Sequence, residues 1–123
     1  AKYGVNMMSK DYPEIAKDLS ASVCQLRKGI PDTMNGFAAL AAAATADGSL
    51  DPKTKELIAT AISVAVRCDG CIASHTKAAE KNGASREEIL ETLGMAVYMG
   101  GGPSVAYAAQ ALDAFDQFTK EAK

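Results

Sequence analysis

Apolar residues recur along this chain at three- and four-residue intervals and rarely alternate, the periodicity of amphipathic helices rather than of strands. Six helices are predicted. Asp11 or Tyr12 ahead of Pro13 opens the first, with Ile15, Leu19, Val23 and Leu26 forming its seam up to Gly29. Pro31 or Asp32 starts a second through the alanine-rich stretch from Phe37 to Ala46, and Asp47-Gly48 ends it. Asp51 is a natural N-cap with Pro52 at the first position of a third helix, whose expected buried face is Leu57, Ile58, Ala61, Ile62 and Ala65. Asp69-Gly70 is expected to interrupt or bend the chain before a fourth helix that closes at Asn82-Gly83. Ser85 and Glu88 have capping-box spacing at the head of a fifth helix through Leu90, Leu93 and Val97. Gly100-Gly101-Gly102-Pro103 stops that helix, and Ser104 is the expected cap of the sixth, through Tyr107, Ala111, Leu112 and Phe115. The expected fold class is all-α, a helical bundle forming one domain over residues 1–123.

The apolar positions are often alanine, as in Ala38-Ala39 and 41–44, which permit close backbone approach but bury little area each. Met34, Met95, Tyr98, Met99 and Tyr107 add more apolar surface than a small bundle easily hides, so a homo-oligomer is expected.

Composition narrows the field of functions. The 123 residues hold 48% hydrophobic and 23% charged residues, ordinary for a globular domain, and 13 basic against 15 acidic residues give a net charge of −2. With no basic block, nucleic-acid binding is disfavoured. No apolar run approaches a membrane span, and the start from Lys2 to Lys10 lacks the hydrophobic stretch of a signal peptide, so a cytoplasmic protein without membrane association is expected. Three cysteines are too few and too clustered for a secreted disulfide framework.

The cluster itself carries the chemistry. Cys68-Asp69-Gly70-Cys71, followed by Ser74-His75, puts two thiols and the single histidine within eight residues. On one helix, Cys68, Cys71 and His75 would lie at about 0°, 300° and 340°, a narrow stripe. Residues three apart can close a disulfide, and a histidine four residues beyond Cys71 can take up a thiol proton near neutral pH. A zinc site using Cys68, Cys71, His75 and Cys24 is disfavoured because three ligands crowd one helical turn. Isolated Cys24 is expected to be a small buried hydrophobe.

Residues 30–118 resemble the alkylhydroperoxidase D and carboxymuconolactone decarboxylase superfamily, about three quarters of the chain. The resemblance rests on 50–58, on 68–75, on 83–89 and on Gly100-Gly101-Gly102-Pro103, with Glu56, Cys68, Cys71 and His75 fitting E-x11-C-x-x-C-x3-H. It implies an all-α fold assembled as trimers or hexamers, and a peroxidase that cycles a disulfide with no cofactor and no metal. It also implies Glu56 as an acid/base group acting with His75. Twelve residues of straight helix span about 18 Å, so Glu56 reaches the thiols only if the helix bends, or if the returning helix or a neighbouring subunit brings the site to it. The decarboxylase branch typically lacks the paired cysteines, so both cysteines here argue for the thiol branch.

On this reading Cys71 is the peroxidatic thiolate, favoured by free backbone donors where a helix begins, and Cys68 resolves its sulfenic acid. The expected partners are a peroxide substrate and an external dithiol reductant. A noncatalytic redox-sensing oligomer and a cofactor-free lyase are the competing functions.

Overall fold

The structure, a computed structural model, describes residues 10–123; the stretch 2–9 inspected above for a leader lies outside them. Six helices make up the fold, α1 (Tyr12–Gly29), α2 (Pro31–Thr45), α3 (Pro52–Ala65), α4 (Asp69–Lys81), α5 (Arg86–Gly100) and α6 (Gly102–Ala122), with no strand among the described residues. The chain is all-α, as its periodicity requires.

Local chemistry sets the helix starts. The Asp11 and Asp51 carboxylates accept from the amides of Glu14 (3.0 Å) and Thr54 (2.8 Å), satisfying donors that the first turn leaves unpaired. The Thr54 amide also holds the Asp51 carboxyl below its usual range. At α5 the capping box forms in full: the Glu88 amide donates to Ser85 Oγ at 3.0 Å and the Ser85 amide to Glu88 Oε1 at 2.8 Å. Lys53 Nζ, 2.9 Å from the other Glu88 oxygen, ties this helix start to α3. Arg86 grips Asp116 with two bonds of 2.9 and 3.0 Å, joining α5 to α6.

Helix α3 packs against α4, α5 and α6, and α6 also covers α4 and α5. Val64, Ile72, Ile89, Leu93, Phe115 and Phe118 fill the space between them. Each large side chain buried there contributes about 1.5–3 kcal/mol. Helix α1 lies across α4 and α6, anchored by fully buried Tyr12, and α2 packs on α1.

Two seams differ from the expected ones. On α1, Tyr12 is buried and Ile15 and Val23 are half-buried, but Leu19 and Leu26 are exposed. The distal half of α1 has for its neighbour α2, which buries none of its own residues. On α3, Ile58, Ile62 and Ala65 are exposed, and the buried residues are Thr60, Ser63 and Val64. The two hydroxyls tolerate burial because they bond within the helix, Thr60 Oγ1 to the Glu56 carbonyl (2.8 Å) and Ser63 Oγ to the Ala59 carbonyl (2.7 Å).

The α5–α6 turn also corrects one expectation. The cap of α6 is Gly101, at φ 69° and ψ −150°, a conformation open to glycine almost alone. Ser104 is instead buried in the first turn of α6, against Gly100 so closely that a Cβ on residue 100 would collide with its side chain.

Candidate active site

The break between α3 and α4 falls ahead of the C-x-x-C, not within it. Arg67 adopts φ 60°, the left-handed region that side chains seldom occupy, and the Cys68 amide reaches back to the Ser63 carbonyl at 3.1 Å. Asp69 and Gly70, expected to bend the chain, form the first turn of α4. Cys68 is therefore the N-cap of α4 and not part of a helical stripe with Cys71 and His75.

Its sulfur does the capping. The Cys71 amide donates to Cys68 Sγ at 3.1 Å, so the donor expected to favour charge on Cys71 is directed at Cys68. The two cysteines are joined by a disulfide, with Cα atoms 5.1 Å apart.

The turn at Arg67 sends α4 back along α3, which resolves the distance to Glu56. From Glu56 to the end of α3 the chain descends about 14 Å, and from Cys68 to His75 it climbs back about 10 Å. His75 Nδ1 and Glu56 Oε1 meet at 2.7 Å, so of the three routes left open, the returning helix provides the approach. The Glu56 side chain is 13% exposed and that of His75 35%. An ionised carboxylate can only accept, so the imidazole donates from Nδ1 and keeps Nε2 as its acceptor. The arrangement is an oriented imidazole one helical turn beyond Cys71.

Both residues between the cysteines are held from outside α4. Lys10 Nζ lies 3.0 and 2.8 Å from the two Asp69 carboxylate oxygens. Gly70 faces Leu19 of α1, whose Cδ2 would lie 2.7 Å from a Cβ added there. Nothing in the sequence pattern marks Lys10, because its partner is 59 residues away. Tyr12 is buried beneath the same corner, with its hydroxyl donating to Gln110 Oε1 at 3.1 Å. Burial above all, with Asp69, Asp113 and Tyr107 nearby, pushes its phenol well above the ordinary range.

Cys24 is an exposed free thiol, not the buried hydrophobe expected, because it lies on the half of α1 that leaves the core. Among the described residues no group of three or more His, Cys, Asp or Glu side chains is placed to hold a metal ion, and no helix is long and apolar enough to cross a membrane.

Comparison with known proteins places this geometry in a family. The carboxymuconolactone decarboxylase family profile matches residues 31–114. An uncharacterised protein of Cupriavidus necator is 38% identical over 109 residues, covering 89% of this chain and 96% of its own length. Uncharacterised protein 4 of the cox locus in Paracoccus denitrificans is 40% identical over 83 residues, 68% of this chain and 75% of its own. The crystal structure of an apo carboxymuconolactone decarboxylase family protein from Legionella pneumophila superposes with a TM-score of 0.86 at 56% identity, covering 88% of this chain and 96% of that one. With the profile spanning well over half of its length and the Cupriavidus and Legionella proteins 89% and 88% of it, the chain belongs to the carboxymuconolactone decarboxylase family.

Proposed function

We propose that the protein is a thiol-dependent hydroperoxidase that cycles the Cys68–Cys71 disulfide at the expense of an external dithiol. The observation that carries this reading is the 2.7 Å bond between Glu56 and His75 beside a pair of cysteines already able to close. All four residues contribute ionisable groups, and their proposed functions need one another. A free thiol has a pKa near 8.5 and is mostly protonated at neutral pH, so an oriented imidazole is what a nucleophilic cysteine requires.

The cycle runs in three balanced steps. His75 Nε2 takes the Cys71 thiol proton; the thiolate attacks a peroxide oxygen, an S–O bond forms, the O–O bond breaks, and the alkoxide takes the proton back and departs as alcohol. Cys68, its charge favoured by the Cys71 amide, attacks the Cys71 sulfur, so that S–S replaces S–O and hydroxide leaves with a proton as water. The external dithiol then supplies two electrons and two protons to restore both thiols. Such a cycle suits a reducing, cytoplasmic setting.

Steady-state peroxide consumption with a dithiol reductant tests the reading. Many turnovers per chain are expected; a single equivalent consumed, then none, would make the pair a sensor. A lyase activity that survives cysteine alkylation would overturn the thiol chemistry.

Assembly belongs to the same proposal. Met95, Tyr98 and Met99 on α5 are 59%, 79% and 76% exposed, and Phe37 and Leu40 on the otherwise unburied α2 are 61% and 62% exposed. That much large apolar surface is a cost in water which packing against further copies removes. Light scattering at micromolar concentration should give the mass of a trimer or hexamer, and a uniform monomer would refute it.

A further inference from the structure

Asp69 sits between the two cysteines, where an unbalanced carboxylate opposes the chemistry. Its Cα is about 3.8 Å from that of Cys68, which puts the carboxylate within roughly 8 Å of the sulfur that the helix start favours as a thiolate. Among the described residues Lys10 is the one cation bonded to it, and it occupies both oxygens.

The position of Lys10 is built independently of that bond. Its carbonyl accepts from Gln117 Nε2 at 2.8 Å, and the Tyr12 amide donates to Gln117 Oε1 at 2.8 Å, fixing the backbone on α6. Its ammonium stands 5.7 Å over the Tyr107 ring. A pair whose side chains are both 40% exposed adds little to stability by itself.

We propose that Lys10 is a positioning residue for the dithiol: by pairing with Asp69 it removes the field of that carboxylate from Cys68 and keeps Cys68 ready to ionise. Other charged and titratable groups border this corner. Exposed Arg67 precedes Cys68, while His75 and Glu56 pair with each other. Tyr12 faces Asp69, Asp113 and Tyr107, and burial keeps its phenol neutral. Leaving the Asp69 carboxylate uncompensated about 8 Å from a thiolate near the surface lowers the thiolate fraction about threefold. The inference rests on the thiol reading for the role of Cys68, but ionisation can be measured without peroxide or reductant, so the two fail separately.

The test uses the full chain with Cys24→Ser and Cys71→Ser, leaving Cys68 as the single thiol, and follows alkylation by iodoacetamide across pH. Lys10→Gln should slow alkylation about two- to threefold near neutral pH and move the midpoint of the profile upward. Lys10→Arg should restore the parent profile, and Asp69→Asn should raise the rate. With Asp69→Asn in place the exposed ammonium loses the partner that holds it at this corner, so Lys10→Gln should change the rate by less than about 1.5-fold. An unchanged or faster rate in Lys10→Gln overturns the proposal. So does an equal loss in both the Asp69 and the Asn backgrounds, which would mean that Lys10 acts directly or through structure.

Discussion

Cys71→Ser is expected to abolish peroxide reduction, whereas Cys68→Ser should reduce one equivalent and stop. The asymmetry follows from the separate ways in which the two sulfurs are activated. Cys71 has an imidazole one helical turn away, which Glu56 holds at 2.7 Å and which the proposed cycle uses as a base; Cys68 has the Cys71 amide at 3.1 Å. A sulfur with a base beside it can lose a proton as peroxide arrives, and a sulfur at a helix N-cap is suited to waiting as a thiolate for an electrophile. In Cys68→Ser the nucleophile survives without its resolving partner, so a sulfenic acid accumulates on Cys71 and is trapped by dimedone. Both variants need Cys24→Ser as well, because that exposed thiol could capture the intermediate. A sulfenic acid on Cys68 in Cys71→Ser would exchange the two roles, which is the outcome expected if the helix donor outweighs the imidazole. Normal turnover in both variants would remove the site altogether.

The helices were legible because their punctuation is local. Asp51-Pro52, Ser85 with Glu88 three residues on, and Gly83, at φ 86°, each act on their own turn, and each does what its sequence context foretells. Burial was less legible where it depends on partners. Thr60 and Ser63 look like surface residues until their hydroxyls are seen to be satisfied inside α3, and Ile58 and Ile62 look like core until the neighbouring helices are placed. Cys24 and Leu26 are misread for the same reason: α1 buries Tyr12 near its start, while residues 24–29 are exposed and the α2 that follows them buries none of its own residues.

The site divides along the same line. Cys68, Cys71 and His75 announce themselves by spacing, and the family pattern adds Glu56, but spacing alone left Glu56 about 18 Å away along a straight helix. Arg67 closed that distance. A left-handed residue just ahead of the first cysteine turns α4 back along α3, and arginine carries none of the glycine or asparagine signal by which such a turn is usually foreseen. The turn also moves Cys68 out of the helix to its cap, so the helix donor serves the other cysteine from the one expected. Lys10 stayed invisible because an ion pair across 59 residues leaves no local trace.

His75→Ala is expected to slow the oxidation of Cys71 by about 10²- to 10⁴-fold, the range for loss of a positioned acid/base group. In the proposed cycle the imidazole does two things in one encounter, taking the thiol proton and returning it to the departing alkoxide, and among the described residues Glu56 is its side-chain hydrogen-bond partner. On the proposed mechanism Glu56 acts on the ring and not on the peroxide. Its carboxylate selects the tautomer with the proton on Nδ1 and stabilises the imidazolium formed when Nε2 takes a proton. Glu56→Gln retains an oxygen that can accept from Nδ1 while losing the negative charge, so it should cost less than His75→Ala. Glu56→Ala loses both contributions and should fall between them. Single-turnover oxidation of the reduced protein, followed across pH, distinguishes the three: His75→Ala should recover activity as pH rises toward the range in which the thiol ionises unaided, about pH 8.5. If His75→Ala stays within about threefold of the parent at neutral pH, the imidazole does not activate Cys71, and its bond to Glu56 serves only to hold α4 against α3.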